Sequence, residues 1–381
     1  MERAKQVKIV IIGAGLIGPR HAESVVKCPD ALLYAIVDPS PQAEAVAQRF
    51  NVPLYRDIDE LLSAAGSNND NDNNGSNNHS NGLPDAAIVC SPNATHVPLS
   101  KRLLAEGIHV LVEKPIAITV ESGLDLLRHA KAHESINGVK ALAGHHRRFN
   151  PYVVAAHKAL SSNTIGKPLA VSGLWALRKP ASYYQAPTAW RASQDGGGPV
   201  LINLVHEIDI LHYLLGPIVR VYAEETLSTR GHDAEEGAAI VLKFASGVVG
   251  TFLLCDSAPS AHSFEAGTGE NPMIPRSGRD FYRIFGTEGT LSVGDMKVER
   301  YRERIAGGEA GWSDEVVEEG VEVGGEVPFD EQVGHLVRVV RGLERPRCSI
   351  EDGLRAVGVA EAVRRAMSTG VPVDIDGGSR L

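Results

Sequence analysis

The chain has 381 residues, of which 43% are hydrophobic and 22% charged, and its formal net charge is −9. These values are typical of a folded protein with two or three domains and exclude a wholly disordered chain. The acidic balance argues against binding nucleic acid through bulk positive charge. No run approaches the roughly 20 apolar residues that cross a bilayer. We therefore predict neither a nucleic-acid partner nor a membrane partner.

The first 18 residues join basic side chains to an apolar run, as a short signal peptide would. However, Gly13 and Gly15 interrupt that run, and no cleavage pattern of small residues follows it.

The four cysteines show neither pairing nor metal-ligand spacing and stand at Cys28, Cys90, Cys255 and Cys348. We expect reduced thiols in a cytoplasmic protein.

The first half of the chain alternates short apolar strands with helices. Strands are predicted over 8–12, 32–37, 86–90 and 109–112, and helices over 17–27, 41–50, 57–65 and 96–106. This alternation predicts parallel strands joined by helical crossovers. Because the strands are continuously apolar, the sheet is expected to be covered on both faces.

The segment Ser67 to Gly82 departs from this alternation, since eight of its sixteen residues are Asn. Such a segment cannot bury apolar surface, so we predict a disordered loop insertion. A partner-binding segment is the alternative. The insertion follows a helix and precedes a strand, which puts it at the amino edge of the sheet, whereas ligands bind at the carboxyl edge.

The pattern changes after Asn150 to strands separated by Gly and polar turns. The predicted strands cover 171–177, 219–225, 237–244, 248–254, 280–285 and 289–293, and the predicted helices 151–161, 199–215, 330–343 and 350–368. These elements indicate an α+β domain with a mostly antiparallel sheet. Ser349 and Asp352 fit a capping box for the last helix. We place the first domain, with the parallel sheet, at 1–148 and the second domain at 149–381.

Gly13-Ala14-Gly15-Leu16-Ile17-Gly18 follows the first strand and opens a helix. In a dinucleotide-binding turn, the first Gly permits the tight turn, the second lets the backbone approach a pyrophosphate, and the third lets helix and strand pack closely. Asp38 ends the second strand, where a carboxylate can bind a ribose 2′-hydroxyl and would repel a 2′-phosphate. This favours NAD over NADP, although Ser40 leaves NADP open.

Two further segments follow predicted strands and would lie at the same carboxyl edge. They are Ser91-Pro92-Asn93-Ala94-Thr95-His96 and Glu113-Lys114-Pro115. A lysine fixed by a proline at this edge is a candidate for contact with a cofactor or substrate.

These motifs, followed by Gly196-Gly197-Gly198 and His206-Glu207-Ile208-Asp209, resemble the glucose–fructose oxidoreductase, inositol dehydrogenase and rhizopine-catabolism family. The resemblance extends to Arg147-Arg148-Phe149-Asn150, Trp190-Arg191 and 285–289. It implies a Rossmann domain, a second domain with an open antiparallel sheet, and a homodimer or homotetramer packed through that sheet. The implied activity is NAD(P)-linked oxidation or reduction of a sugar, cyclitol or related polyol.

The resemblance also implies residue roles. Lys114 would contact the reacting oxygen, where a cation stabilises developing negative charge, and His206 would be the general acid/base. The alternative for His206 is a buried, hydrogen-bonded histidine on an amphipathic helix. The expected cofactor-binding residues are Gly13, Gly15, Leu16, Ile17, Gly18, Asp38, Ser91, Asn93, His96, Glu113 and Lys114.

One position departs from the family pattern. Many members carry an Asp four residues before the histidine, and here that position is Ile202, with Asn203 one residue later. Asn203 and His206 are three residues apart and can share a helix face. An Asn can hydrogen-bond substrate or histidine but cannot supply the charge of a carboxylate.

Substrate contacts are predicted where polar side chains are available for a polyhydroxyl ligand. The candidates are Asn203, Arg147, Arg148, Tyr183 or Tyr184, and Arg191. His145 and His146 lack metal-ligand spacing, so no metal is predicted. A competing hypothesis is a catalytically silent, dinucleotide-binding regulator with the same fold. Retention of Lys114 and His206 favours the enzyme, and the loss of the Asp at 202 favours the regulator.

Overall fold

The computed structural model describes residues 5–66, 82–194, 196–302 and 310–375. Contacts divide the chain into unit 1, residues 1–149 and 326–354, and unit 2, residues 150–325 and 355–381. Within the described ranges, no helix is long and apolar enough to cross a membrane. Most of the Asn-rich segment, residues 67–81, lies outside the described residues, so its disorder stays a prediction.

The elements up to residue 149 alternate as predicted. They are β1 (Val7–Ile12), α1 (Gly18–Lys27), β2 (Ala31–Val37), α2 (Ala43–Phe50), β3 (Leu54–Tyr55), α3 (Ile58–Gly66), β4 (Ala86–Val89), α4 (His96–Ala105), β5 (His109–Glu113), α5 (Val120–Asn137) and β6 (Ala141–Gly144). The six strands form one parallel sheet in the order β3-β2-β1-β4-β5-β6. The predicted Rossmann sheet is therefore confirmed, and its order reverses between β1 and β4.

The middle of the chain consists mainly of strands. Its elements are α6 (Pro151–Ser161), β7 (Pro168–Ala176), a π-helix (Val200–Leu204), α7 (Val205–Leu215), β8 (Ile218–Glu225), β9 (Gly237–Phe244), β10 (Val249–Cys255), α8 (Phe264–Thr268), β11 (Tyr282–Gly286), β12 (Thr290–Val293), β13 (Lys297–Tyr301) and β14 (Val316–Gly320). The chain continues with α9 (Pro328–Val340), α10 (Ile350–Thr369) and β15 (Val373–Asp374).

Unit 2 contains a nine-stranded sheet in the order β14-β13-β12-β11-β7-β10-β9-β8-β15. All neighbours are antiparallel except β7 and β10, which are parallel, so the prediction of a mostly antiparallel sheet is confirmed. One face packs against helices through a core that includes Val153 of α6, Leu211 of α7 and Val363 of α10. Along β9 and β10, buried residues alternate with exposed ones. The exposed ones include Val241, Val249 and Leu253; association of copies through this sheet stays a prediction.

Helix α9 belongs to unit 1, although we predicted that all of 149–381 would form the second domain. Its buried residues Val333, Leu336 and Val337 join the same core as Ile9 and Ile11 of β1. The amphipathic pattern of α9 predicts a buried face, but the pattern does not specify which core receives that face.

Helix α10 begins at the predicted capping box. The Ser349 backbone N–H donates to Asp352 Oδ2 at 2.9 Å, and the Asp352 backbone N–H donates to Ser349 Oγ at 3.1 Å. Each side chain therefore accepts from the other residue's backbone, which confirms the motif. The residues of α10 up to Leu354 belong to unit 1, and those from Arg355 onward belong to unit 2.

Candidate active site

Three loops of unit 1 leave the carboxyl ends of β1, β4 and β5, at the edge where the strand order reverses. They contain Gly13–Gly18, Ser91–His96 and Lys114–Pro115, and together with Glu113 we call them the cofactor edge. In open α/β sheets, ligands bind in the crevice at this kind of switch point. The structure therefore brings the sequence-predicted cofactor motifs to one edge of one sheet.

The glycine turn has the shape that a pyrophosphate requires. A Cβ on Gly18 would lie 2.1 Å from the Gly13 carbonyl oxygen, so only glycine permits this close packing of turn and helix. In contrast, a Cβ on Gly15 would meet no protein atom within 4 Å. That open space beside the backbone is what a closely approaching phosphate needs.

The start of α1 also fits an anionic ligand. The residue before it, Ile17, makes no side-chain capping bond, and the first turn carries no acidic residue. The backbone N–H groups of a helix start and its dipole favour an anion. Leu16 in the same turn is 86% exposed. These features fit a dinucleotide, whose phosphates the turn would hold.

Asp38 connects the glycine turn to the end of β2. Its Oδ2 accepts from the Ala14 backbone N–H at 2.6 Å, and its Oδ1 accepts from the Ser40 backbone N–H at 2.7 Å. The carboxylate is thus fixed beside the turn, where negative charge disfavours a ribose 2′-phosphate.

His96 joins the other two loops of the cofactor edge. Its Nε2 lies 2.8 Å from the Ser91 carbonyl oxygen and its Nδ1 lies 2.8 Å from the Pro115 carbonyl oxygen. Burial lowers the pKa of His96, while the two carbonyl contacts oppose that change. Asn93 lies in a short 3₁₀ turn between Ser91 and His96 and is half-buried. The imidazole of His96 therefore holds the loops, and Asn93 is the more accessible of the two side chains.

Within the cofactor edge, the side chain of Glu113 binds the backbone of Lys114. Its Oε1 lies 2.7 Å from His21 Nε2, and its Oε2 accepts from the Lys114 backbone N–H at 3.1 Å. Burial alone would raise the pKa of Glu113, but the hydrogen bond from His21 and the nearby charges of His21, His146 and Lys114 lower it to about 2. The carboxylate thus stays ionised and fixes the backbone of the lysine.

Two predicted substrate contacts, Arg147 and Arg148, are buried within unit 1. Arg148 Nη1 donates to the Arg347 carbonyl oxygen at 2.7 Å and lies 3.6 Å from Asp352 Oδ2. His146 stacks on Phe329 of α9 with ring centroids 4.3 Å apart. These two contacts of Arg148 join the segment before residue 149 to the C-terminal part of unit 1.

The predicted histidine of unit 2 follows a π-helix. Asn203 lies in this wider turn, Val200–Leu204, and His206 is the second residue of α7. Such turns are often found at functional sites. His206 is 6% exposed, and the neighbouring Glu207 and Asp209 are fully buried. The hydroxyl of Tyr282 donates to Glu207, so Glu207 takes part in the interior of the unit.

The glycine triplet before the π-helix is held by Glu235. Its Oε1 accepts from the Val200 backbone N–H at 2.9 Å. Gly198 has a φ of +77°, and a Cβ there would lie 2.2 Å from Glu235 Oε1. Arg364 Nη2 donates to the Gly197 carbonyl oxygen at 2.6 Å and lies 3.4 Å from Glu235 Oε2. The triplet thus lets the chain pass close to a buried carboxylate that fixes the start of the π-helix.

Lys179 is a site residue that the sequence analysis missed. Its Nζ donates to Asn203 Oδ1 at 2.7 Å and lies 3.2 Å from Asp256 Oδ2. The same ammonium lies 4.7 Å from the centroid of the Tyr183 ring. Burial lowers the pKa of Lys179, and the Asp256 carboxylate opposes that change. Lys179 therefore fixes the side-chain amide of Asn203, the residue next to the position where many family members carry an Asp.

Asp256 is the centre of these contacts. It accepts from Tyr184 Oη at 2.5 Å and from Arg230 Nη1 at 2.6 Å, in addition to its contact with Lys179. Arg230 Nη1 also donates to Tyr184 Oη at 3.1 Å. We call Lys179, Tyr184, Asn203, Arg230 and Asp256 the polar cluster. It contains the predicted Tyr184 and Asn203 together with three charged residues that were not predicted.

The strand arrangement explains the pairing of Lys179 with Asp256. Because β7 and β10 are parallel neighbours, their carboxyl ends lie at the same edge of the sheet. Asp256 directly follows β10, and Lys179 follows β7 by three residues. A charged residue just after an apolar strand indicates a position at the carboxyl edge of a sheet. The sequence analysis applied this signal only to the first half of the chain.

Arg191, another predicted substrate contact, lies over the ring of Tyr183, next to Tyr184 of the polar cluster. Its Cζ lies 3.9 Å from the centroid of the Tyr183 ring and 5.7 Å from the centroid of the Trp190 ring. Among the described residues, no group of three His, Cys, Asp or Glu side chains could hold a metal ion. All four cysteines lie in described segments and are free.

The parallel sheet, the open glycine turn and the fixed carboxylate at Asp38 are the features of a dinucleotide-binding protein. Residues 7–141 match the model described as "Oxidoreductase family, NAD-binding Rossmann fold", and residues 157–375 match "Oxidoreductase family, C-terminal alpha/beta domain". The chain therefore belongs to the glucose–fructose oxidoreductase, inositol dehydrogenase and rhizopine-catabolism family, which confirms the resemblance.

Relatives with assigned activities are distant. The chain is 25% identical to scyllo-inositol 2-dehydrogenase (NAD(+)) of Bacillus subtilis, over 77% of this chain and 75% of that protein. It is 27% identical to inositol 2-dehydrogenase of Rhizobium meliloti, over 76% of each. An Agrobacterium radiobacter oxidoreductase solved with NAD+, L-tartaric acid and magnesium has a TM-score of 0.76 at 16% identity, over 97% of this chain and 99% of that chain. At that identity the likeness shows the fold alone.

Proposed function

We propose that this chain is an NAD-dependent dehydrogenase that acts on a carbinol of a sugar, cyclitol or related polyol. Lys114 is the electrostatic partner of the reacting oxygen, and His206 is the general acid/base. The proposal is carried by the position of Lys114, which directly follows β5 at the cofactor edge and whose backbone is held by buried Glu113. The inositol dehydrogenases among the relatives support the substrate class.

Oxidation of a carbinol removes a hydride from carbon and a proton from the hydroxyl group. A bound nicotinamide dinucleotide supplies the hydride acceptor. The neutral imidazole of His206 takes the hydroxyl proton, and its later release to water restores the base. The Lys114 ammonium stabilises the negative charge that develops on oxygen as the proton leaves. The product is the corresponding carbonyl compound.

The preference for NAD is proposed from Asp38. A 2′-phosphate would lie near this carboxylate, which is already fixed by the backbone N–H groups of Ala14 and Ser40. Repulsion between the two anions makes NADP the weaker ligand.

The test is turnover by the full-length protein on a panel of sugars and cyclitols, followed by nicotinamide absorbance. With the best substrate, Lys114→Ala and His206→Ala should each lower kcat by about 10²-fold or more. Both variants should still bind NADH. Lys101→Ala is the control lysine, since Lys101 lies on α4 in a partly exposed pair with Asp125.

Unchanged turnover in Lys114→Ala would remove the proposed role of that lysine. NADH binding without turnover of any substrate would instead favour the regulator hypothesis. Equal use of NAD and NADP by the wild-type protein would contradict the role of Asp38.

A further inference from the structure

The orientation of the Asn203 amide is fixed by its contact with Lys179. An ammonium group can only donate hydrogen bonds, so the amide oxygen must be the atom 2.7 Å from Lys179 Nζ. The amide nitrogen therefore points away from the lysine. In the described parts of the chain, no residue accepts a hydrogen bond from it. Asn203 is partly exposed, so it offers N–H donors to a ligand.

Arg191 offers donors in the same part of unit 2. Its guanidinium lies over the Tyr183 ring, with Cζ 3.9 Å from the ring centroid. Its Nε is buried, and no described residue accepts a hydrogen bond from that atom. The Nη atoms of a guanidinium in this position can still donate the paired hydrogen bonds that carboxylates accept. Lys179 contacts the same Tyr183 ring, which places Arg191 beside the polar cluster.

The carboxylate of the polar cluster does not satisfy Arg191. Asp256 is 1% exposed and already contacts Lys179, Tyr184 and Arg230. A neutral hydroxyl could accept a hydrogen bond from the guanidinium but would not oppose its charge. A carboxylate accepts hydrogen bonds without donating any, and it carries the opposite charge. It is therefore the group that best complements the donors of Arg191 and Asn203.

We propose that the substrate is a sugar acid, whose carboxylate binds the Arg191 guanidinium while an adjacent oxygen accepts from the Asn203 amide. This inference rests on the proposed dehydrogenase function and narrows its substrate class from polyols in general to polyhydroxy carboxylates. Lys179 acts as a positioning residue, because it orients the Asn203 donors.

The kinetic test uses matched substrates that differ in one oxidised carbon: D-glucuronate against D-glucose, and D-galacturonate against D-galactose. We expect the wild-type kcat/KM to be at least about tenfold higher for the acid in at least one pair, as a charge-assisted hydrogen bond provides. In Arg191→Gln this ratio should fall close to one, mainly through a higher KM for the acid. Arg283→Gln is the control, since Arg283 of β11 has an exposed side chain that pairs with Asp280, and this variant should keep the wild-type ratio.

A binding experiment separates this inference from the proposed function. NADH-loaded protein is titrated calorimetrically with glucuronate, galacturonate and the two neutral sugars, which requires no turnover. Tighter binding of an acid, lost in Arg191→Gln and partly kept in Arg191→Lys, supports the inference even if no substrate is oxidised. Arg191→Lys retains the charge and gives a second variant should Arg191→Gln fold poorly. Equal or absent binding of acids and neutral sugars, or equal weakening of both by Arg191→Gln, overturns the inference.

Discussion

The cofactor edge of unit 1 and the polar cluster of unit 2 are built in different ways. At the cofactor edge, the groups that face a ligand are mostly backbone groups of contiguous segments, such as the N–H groups at the start of α1. The polar cluster consists of side chains brought together from distant positions, as with Lys179 and Asp256. The first arrangement depends on local backbone shape, and the second depends on a balance of buried charges.

The largest effect is expected on the stability of unit 2, when the charge balance of the polar cluster is changed. In Asp256→Asn, the buried Lys179 and the partly buried Arg230 lose their shared carboxylate, so the free energy of unfolding of unit 2 should fall by about 3–5 kcal/mol. All three tryptophans, Trp175, Trp190 and Trp312, belong to unit 2. Urea denaturation followed by tryptophan fluorescence therefore measures this unit.

The control for that experiment is Asp374→Asn. Asp374 pairs with Arg220 on the surface of the same sheet, and surface pairs contribute little to stability. Its unfolding midpoint should match that of the wild type. If Asp256→Asn also unfolds at the wild-type urea concentration, the polar cluster does not stabilise unit 2. That result would contradict the view that the polar cluster depends on a balance of buried charges.

The cofactor edge has one buried charge of its own, and its effect depends on pH. The pKa of Glu113 in the folded protein is about 2, below its ordinary value of 4.5. Folding therefore favours the ionised carboxylate, whose stabilisation is complete above about pH 4.5 and is lost as the pH falls toward 2. At pH 7 it amounts to about 3 kcal/mol.

Glu113→Gln should lower the stability of unit 1 at pH 7, and the difference from the wild type should shrink between pH 4.5 and 2. Hydrogen–deuterium exchange of peptides from α1 and β5, measured against urea at several pH values, follows this unit directly. Glu44→Gln, on the surface of α2, serves as the comparison variant. A difference that stays constant across this pH range would show that ionisation of Glu113 is not the cause.

The same contrast explains what the sequence could predict. The glycine turn and the capping box at Ser349 and Asp352 depend on residues a few positions apart, so their spacing carries the information. The partners of Lys179 lie 24 residues away at Asn203 and farther still at Asp256. Their meeting depends on β7 and β10 being neighbours, and strand order is not written in local spacing. The packing of α9 into unit 1 was missed for the same reason.

The smallest effect is expected in the glycine turn, where one substitution should change NADH affinity and leave stability unchanged. In Gly15→Ala the added methyl meets no protein atom within 4 Å, so the thermal midpoint should stay at the wild-type value. The methyl would occupy the space that a pyrophosphate needs, so the Kd for NADH should rise about tenfold, or ~1.4 kcal/mol. Fluorescence titration with NADH and a thermal melt measure the two quantities separately.

Gly18→Ala is the matched variant for this comparison. Its methyl would lie 2.1 Å from the Gly13 carbonyl oxygen, so both the thermal midpoint and NADH binding should suffer. If Gly15→Ala binds NADH like the wild type, the phosphates do not approach the backbone at that residue. If it loses affinity while keeping its thermal midpoint, the turn is specialised for the ligand at Gly15 and for packing at Gly18. One contiguous motif would then separate ligand recognition from stability.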